Sequence, residues 1–142
     1  MSISETLAGN VKIVSGGDVF DFKGSGAISE GRLVELNTTI TDTVAVGPGS
    51  ANSNTIIGYV EASYEASDRV RVSTGGIARL YNNSGTTISA GALVAPAAAG
   101  TIRAYGDIAG ISGTVVGMAL EAISTASFGK VLVNPVANRS NT

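Results

Sequence analysis

Asp68-Arg-Val-Arg-Val-Ser-Thr74, then Gly75-Gly76, then Ile77-Ala-Arg-Leu-Tyr81 is the stretch that sets the fold class. Its period is two: Val70 and Val72 share one face, and Arg69, Arg71 and Ser73 share the other. Successive side chains of a strand point to opposite faces, so this alternation predicts a half-buried β-strand. The Gly pair offers a turn, and Ile77–Tyr81 resumes as a strand with Ala78 and Leu80 opposed to Arg79. Similar runs occur at Val11–Val14, Asp18–Phe22, Arg32–Leu36, Thr43–Val46, Thr55–Tyr64, Ala92–Ala95, Thr101–Tyr105, Thr114–Ile123 and Lys130–Asn134. Gly106, Gly110 and Gly113 reduce the best helical candidate, Asp107–Ile111, to a single turn at most. Many short strands separated by turn residues predict an all-β protein, either a small sandwich or a barrel of β-tulip or jelly-roll type, built of short antiparallel strands. Val46–Asn54 and Ala95–Gly100 are the distinctive loops. The expected organisation is an extended N-terminal arm (1–16), one domain (17–136) and a flexible tail (137–142).

The two halves resemble each other. Ile28-Ser-Glu-Gly-Arg-Leu-Val34 matches Ile88-Ser-Ala-Gly-Ala-Leu-Val94 at an offset of 60. Ile57-Gly58 matches Val116-Gly117 at 59, and Glu61-Ala62 matches Glu121-Ala122 at 60. Arg69-Val-Arg-Val72 resembles Lys130-Val-Leu-Val133 at a slipped offset. Two units are too few for a solenoid, so the halves should pair within one sandwich or barrel. The Gly inside each long strand marks a bulge or a close backbone approach.

The composition of the 142 residues excludes several chemistries. There is no Cys and no His, which removes disulfides, Ser-His-Asp triads and the commonest metal ligands. A net charge of −2 gives no basic excess for nucleic acid, and no apolar run has the length of a membrane span. The first ten residues lack the basic and apolar regions of a secretory signal. Ser127-Phe-Gly-Lys130 fits Ser-x-x-Lys but precedes a strand and lacks the companion motifs. Glu61, Glu65 and Asp68 read as a surface acidic cluster without a calcium-loop pattern. Gly24-Ser-Gly26 and Gly47-Pro-Gly49 read as turns, not phosphate loops. We therefore expect no enzyme, no catalytic residue, no metal site and no cofactor. Charged residues are only 14% of the chain, and Gly numbers 19, so the surface suits close packing against other proteins. The stretch between Arg79 and Arg103 carries no charge at all and reads as either a neutral contact edge or a buried hairpin.

Ile88–Val94, Val115–Ala122 and Gly129-Lys-Val-Leu-Val133, with weaker echoes at Ile28–Val34 and Ile57–Ala62 and the opening Gly17-Asp-Val-Phe-Asp-Phe22, resemble the capsid decoration (cement) proteins of tailed phages and related viruses. The resemblance implies a structural protein on the outer surface of an expanded capsid. Its expected partners are the major capsid protein and itself, as a homotrimer or homodimer. It also implies that residues 1–16 form an arm whose Val11, Lys12, Ile13 and Val14 add a strand to a capsid-protein edge. Arg69, Arg71 and Arg79, if on adjacent strands, would form a basic stripe facing an acidic partner; the alternative is charge that protects an edge strand. The rival reading is a receptor- or carbohydrate-binding module, which would need an exposed cluster among Tyr59, Tyr64, Tyr81 and Tyr105.

Overall fold

The computed structural model describes residues 18–46, 55–107 and 112–140. The regular structure of the described residues is nearly all β: β1 (Val19–Gly24), β2 (Arg32–Leu36), β3 (Thr43–Val46), β4 (Ile56–Val60), β5 (Arg69–Ser73), β6 (Gly76–Asn82), β7 (Leu93–Pro96), β8 (Ile102–Ala104), β9 (Ser112–Ala119) and β10 (Ser127–Ser140). Two short 3-10 turns, Ala98–Gly100 and Tyr105–Asp107, are the only helical pieces among the described residues. β10 continues as strand through residues 137–140, which the sequence reading assigns to the tail. β4 stops at Val60, because the chain then turns and Ile28 and Tyr64 exchange backbone hydrogen bonds across an isolated bridge.

The strands form two closed five-stranded barrels, in the orders β1-β3-β2-β4-β5 and β6-β8-β7-β9-β10. All neighbours are antiparallel except β1 with β3 and β6 with β8. An odd number of strands cannot alternate direction all the way round, so a closed five-stranded barrel must contain a parallel pair. One parallel pair in each barrel therefore stands among the antiparallel strands expected from the sequence. The Gly75-Gly76 turn does not make a hairpin either. β5 pairs with β1 and β4, whereas β6 pairs with β10 and β8, so this turn carries the chain from the first barrel to the second.

The duplication is real in three dimensions, but each half closes a barrel of its own instead of pairing with the other half within one. Val34 pairs with Gly58, and Val94 pairs with Gly117. Gly24 pairs with Val44, and Asn82 lies beside Ile102. The Ile28–Tyr64 bridge recurs as Ile88–Ile123. These pairs relate β1 to β6 by 58 residues and β4 to β9 by 59. The matching backbone bonds Gly31 N to Val60 O and Gly91 N to Ala119 O then make Leu120, not Glu121, the counterpart of Glu61.

Ile28, Val34, Val44, Val60, Val70 and Val72 fill the first barrel. The second core is larger: to Ala78, Leu80, Ile88, Val94, Ile102, Val116, Ala119, Ile123, Val131 and Val133 it adds Leu33, Ile56 and Tyr59 from the first barrel. Leu33 and Val34 are adjacent on β2 and both fully buried, because one points into its own barrel and the other into the joint. Ser73, expected on the solvent face with the arginines, is buried there too, paired with Tyr59.

A Cβ at Gly58 would collide with the Ser73 carbonyl oxygen and one at Gly117 with that of Leu132, whereas Gly26 has open space. Gly58→Ala should cost about 3 kcal/mol, at the upper end for overpacking. It should lower the thermal midpoint by roughly 10 °C, while Gly26→Ala leaves it within a degree or two, as calorimetry would show.

Candidate interaction surfaces

The arginines singled out from the sequence do not form one stripe. Arg69 and Arg71 project from β5 on the first barrel, with exposed side chains paired to Asp42 at 3.4 Å and Asp21 at 3.8 Å. Pairs this exposed contribute little to stability. Arg79 lies on β6 of the other barrel, its guanidinium 5.2 Å from the centre of the Phe128 ring. β5 has neighbours on both sides, so protection of a sheet edge does not account for its arginines. Val11, Lys12, Ile13 and Val14 lie outside the described residues.

Where the barrels meet, aromatic and cationic groups stack. Tyr81 and Phe128 lie 5.0 Å apart with tilted rings, and the Arg32 guanidinium sits 4.4 Å above Tyr81. Arg32 comes from the first barrel and both rings from the second, so the stack bridges them. Gly31 permits this approach: at φ +71° it lies in the left-handed region, and a Cβ there would strike the Phe128 ring. Its carbonyl accepts the Tyr81 N–H at 3.3 Å. Beside the stack is an open cleft of about 260 Å³ lined by Glu30, Glu61, Arg79 and Ile77. Its two carboxylates belong to the first barrel and its guanidinium to the second.

The remaining expected chemistry is dispersed. Among the described residues no group of three or more acidic side chains is placed to hold a metal ion. Asp68 instead accepts the backbone N–H of Glu65 at 2.8 Å, and Ser63 accepts that of Glu30 at 3.0 Å; both serve turns. Ser127 and Lys130 of the Ser-x-x-Lys sequence both lie inside β10, so the sequence opens a strand and does not precede one, and Lys130 is solvent-exposed. Asn82 is fully buried and satisfied: its amide donates to the Thr86 and Ile123 carbonyls at 2.9 Å. The tyrosines form no exposed cluster, because Tyr59 and Tyr105 are buried, Tyr64 packs on the first core and Tyr81 belongs to the stack.

What the sequence reading missed is an apolar surface. Leu93, Met118, Leu120 and Leu132 are all exposed by 40% or more on the second barrel. The signal was available in Val131-Leu-Val133: where both valines of an alternating strand point inward, the leucine between them must point outward.

The chain shares its fold with a phage head-fibre base. The crystal structure of the head fiber gp8.5 N base of bacteriophage phi29 superposes with a TM-score of 0.59, over 82% of this chain and 93% of that one. The two sequences are 16% identical across the match, so the similarity is one of fold. No family model and no curated protein sequence matches the chain.

Tyr59 ties the joint to the connection between barrels, its hydroxyl donating to the Gly75 carbonyl at 2.7 Å. Burial, helped by the nearby Glu61 carboxylate, pushes this hydroxyl from 10.0 up to about 12. An acid whose folded pKa is raised stabilises the fold below its unfolded pKa and loses that contribution as pH rises to the folded one. Stability should therefore fall between pH 10 and 12. Tyr59→Phe should cost about 1 kcal/mol at neutral pH through the lost hydrogen bond and should flatten that alkaline decline, measured by urea denaturation across the range.

Proposed function

We propose that this chain is a structural, non-enzymatic component of a tailed-phage virion, and specifically a decoration protein that binds the outer face of the expanded capsid and cements neighbouring capsomers. The observation that carries the reading is the fold shared over most of both chains with the base of a phage head fiber. The resemblance of Ile88–Val94, Val115–Ala122 and Gly129–Val133 to capsid decoration proteins points the same way from a different direction.

The physical properties suit such a role. Closed barrels satisfy their backbone hydrogen bonds internally and offer side-chain faces to a partner. Few charges and many small residues let those faces approach closely. The exposed Arg69 and Arg71 supply positive charge for an acidic capsid patch, at the cost of exchanging Asp42 and Asp21 as partners. In this reading residues 1–16 act as the arm, with Val11, Lys12, Ile13 and Val14 adding a strand to the capsid protein. Several weak contacts made at once give tight attachment without any single strong site.

Co-sedimentation with expanded, undecorated capsids tests the proposal. Saturable binding that raises the capsid's disruption temperature is expected. Deleting residues 1–16 should weaken that binding at least tenfold while leaving the thermal unfolding of the barrels unchanged. Absence of binding at saturating concentration sinks the cement role.

A further inference from the structure

The joint between the barrels is asymmetric, and the molecule carries an unused copy of each of its two sides. On the first barrel the joint is a cross-strand row: Leu33 pairs with Tyr59, and Tyr59 with Ser73. These residues are 0%, 0% and 6% exposed, because the second barrel covers them. The same row on the second barrel is Leu93, Met118 and Leu132, joined by the same pairings. Among the described residues nothing covers it, and its members are 40%, 42% and 44% exposed. Leu120, the counterpart of Glu61, adds a fourth apolar side chain at 43%. Gly31, pressed against Phe128 in the joint, has its counterpart in Gly91, which keeps the left-handed φ of +84° yet faces empty space.

The receiving side is duplicated as well. In the joint it consists of the start of β6, at Ile77 and Ala78, the 3-10 turn Ala98–Gly100, which touches β2, and the Tyr81–Phe128 pair; the pair's counterparts are Lys23 and Arg69, so it is the apolar part that recurs. The offset of 58 between β1 and β6 makes Val19 and Phe20 the counterparts of Ile77 and Ala78. The counterpart of the 3-10 turn is the β2–β3 connection, with Ile40 on it and Leu36 at the end of β2 leading into it. These four are 36%, 51%, 40% and 56% exposed. The eight large hydrophobic residues exposed among the described residues are thus the four on one unused side and the four on the other. Chance exposure would scatter them.

We propose that the Leu93–Met118–Leu132 face binds the Val19–Phe20–Ile40 end of a second copy of this chain, reproducing between molecules the joint that exists within one. Such a contact is heterologous, one surface against a different one, and it assembles chains head to tail. The proposal does not depend on the capsid role.

Sedimentation velocity on the full chain tests it. The wild-type protein should form species above the monomer mass at micromolar concentration. Met118→Glu with Leu132→Glu should raise the dissociation constant at least 100-fold, and so should Val19→Asp with Phe20→Asp. All four positions are exposed in the monomer, so circular dichroism and thermal midpoints should match wild type. Mixing the two variants is decisive: one keeps an intact row and the other an intact receiving end, so together they should form dimers and nothing larger. A wild-type protein that stays monomeric at 1 mM overturns the proposal, as does self-association that survives the Met118/Leu132 changes. Loss of assembly in that variant alone, with Val19/Phe20 changes inert, would mean that the row meets itself, which also overturns head-to-tail docking.

Discussion

Each barrel closes at a point where one strand passes too near its neighbour to carry a side chain. At Gly58 the limiting atom is the Ser73 carbonyl oxygen, and at Gly117 it is the equivalent carbonyl of Leu132. A five-stranded barrel has a narrow interior, which small branched side chains fill, and here valine dominates the first core. Closure at the two glycines leaves β5 free to pair with β1 and β10 with β6. A side chain at either position would push the neighbouring strands apart and strain the closure that sets the outward-facing rows of the joint.

The joint gives two small barrels one shared core. Full burial of a side chain the size of Leu33 or Tyr59 contributes on the order of 1.5–3 kcal/mol. The backbone bond from Tyr81 to Gly31, the Tyr59 hydroxyl on Gly75 and the Arg32 stack then fix the orientation that apolar burial alone would leave loose. The pieces serve different ends: the apolar row supplies most of the driving force, and the polar contacts at its rim supply register.

The local half of this architecture was legible in the sequence. Alternation located β2 and β3 to the residue and β5 to within one residue at each end, because each has one face toward an apolar interior and a turn at either end. The matching Ile-Ser-x-Gly-x-Leu-Val segments exposed the duplication, and the Gly within each long strand marked the close approach. What alternation cannot encode is which strands become neighbours. The parallel pairs, the placement of Arg79 on a different barrel from Arg69 and Arg71, and the burial of Ser73 all follow from closure and docking. Ser73 is the clearest case. It sits at a position whose period-two partners are exposed arginines, yet it is buried beside its cross-strand partner Tyr59, which belongs to the core shared with the second barrel. The apolar contact row was hidden for the same reason, since Leu33 and Leu93 occupy matching positions in matching motifs and differ only in what lies opposite them.

The strand order has a consequence for biosynthesis. Every strand of the first barrel lies between residues 19 and 73, so that barrel can close while the rest of the chain is still being translated. Its Leu33–Tyr59 row then waits in water until β6 and the Ala98–Gly100 turn leave the ribosome. During that interval the nascent chain displays the same kind of surface that the finished protein shows at Leu93–Met118. Ribosomes following one another on a single message would hold such surfaces close together, and the pace of elongation past residue 73 sets how long each one stays bare.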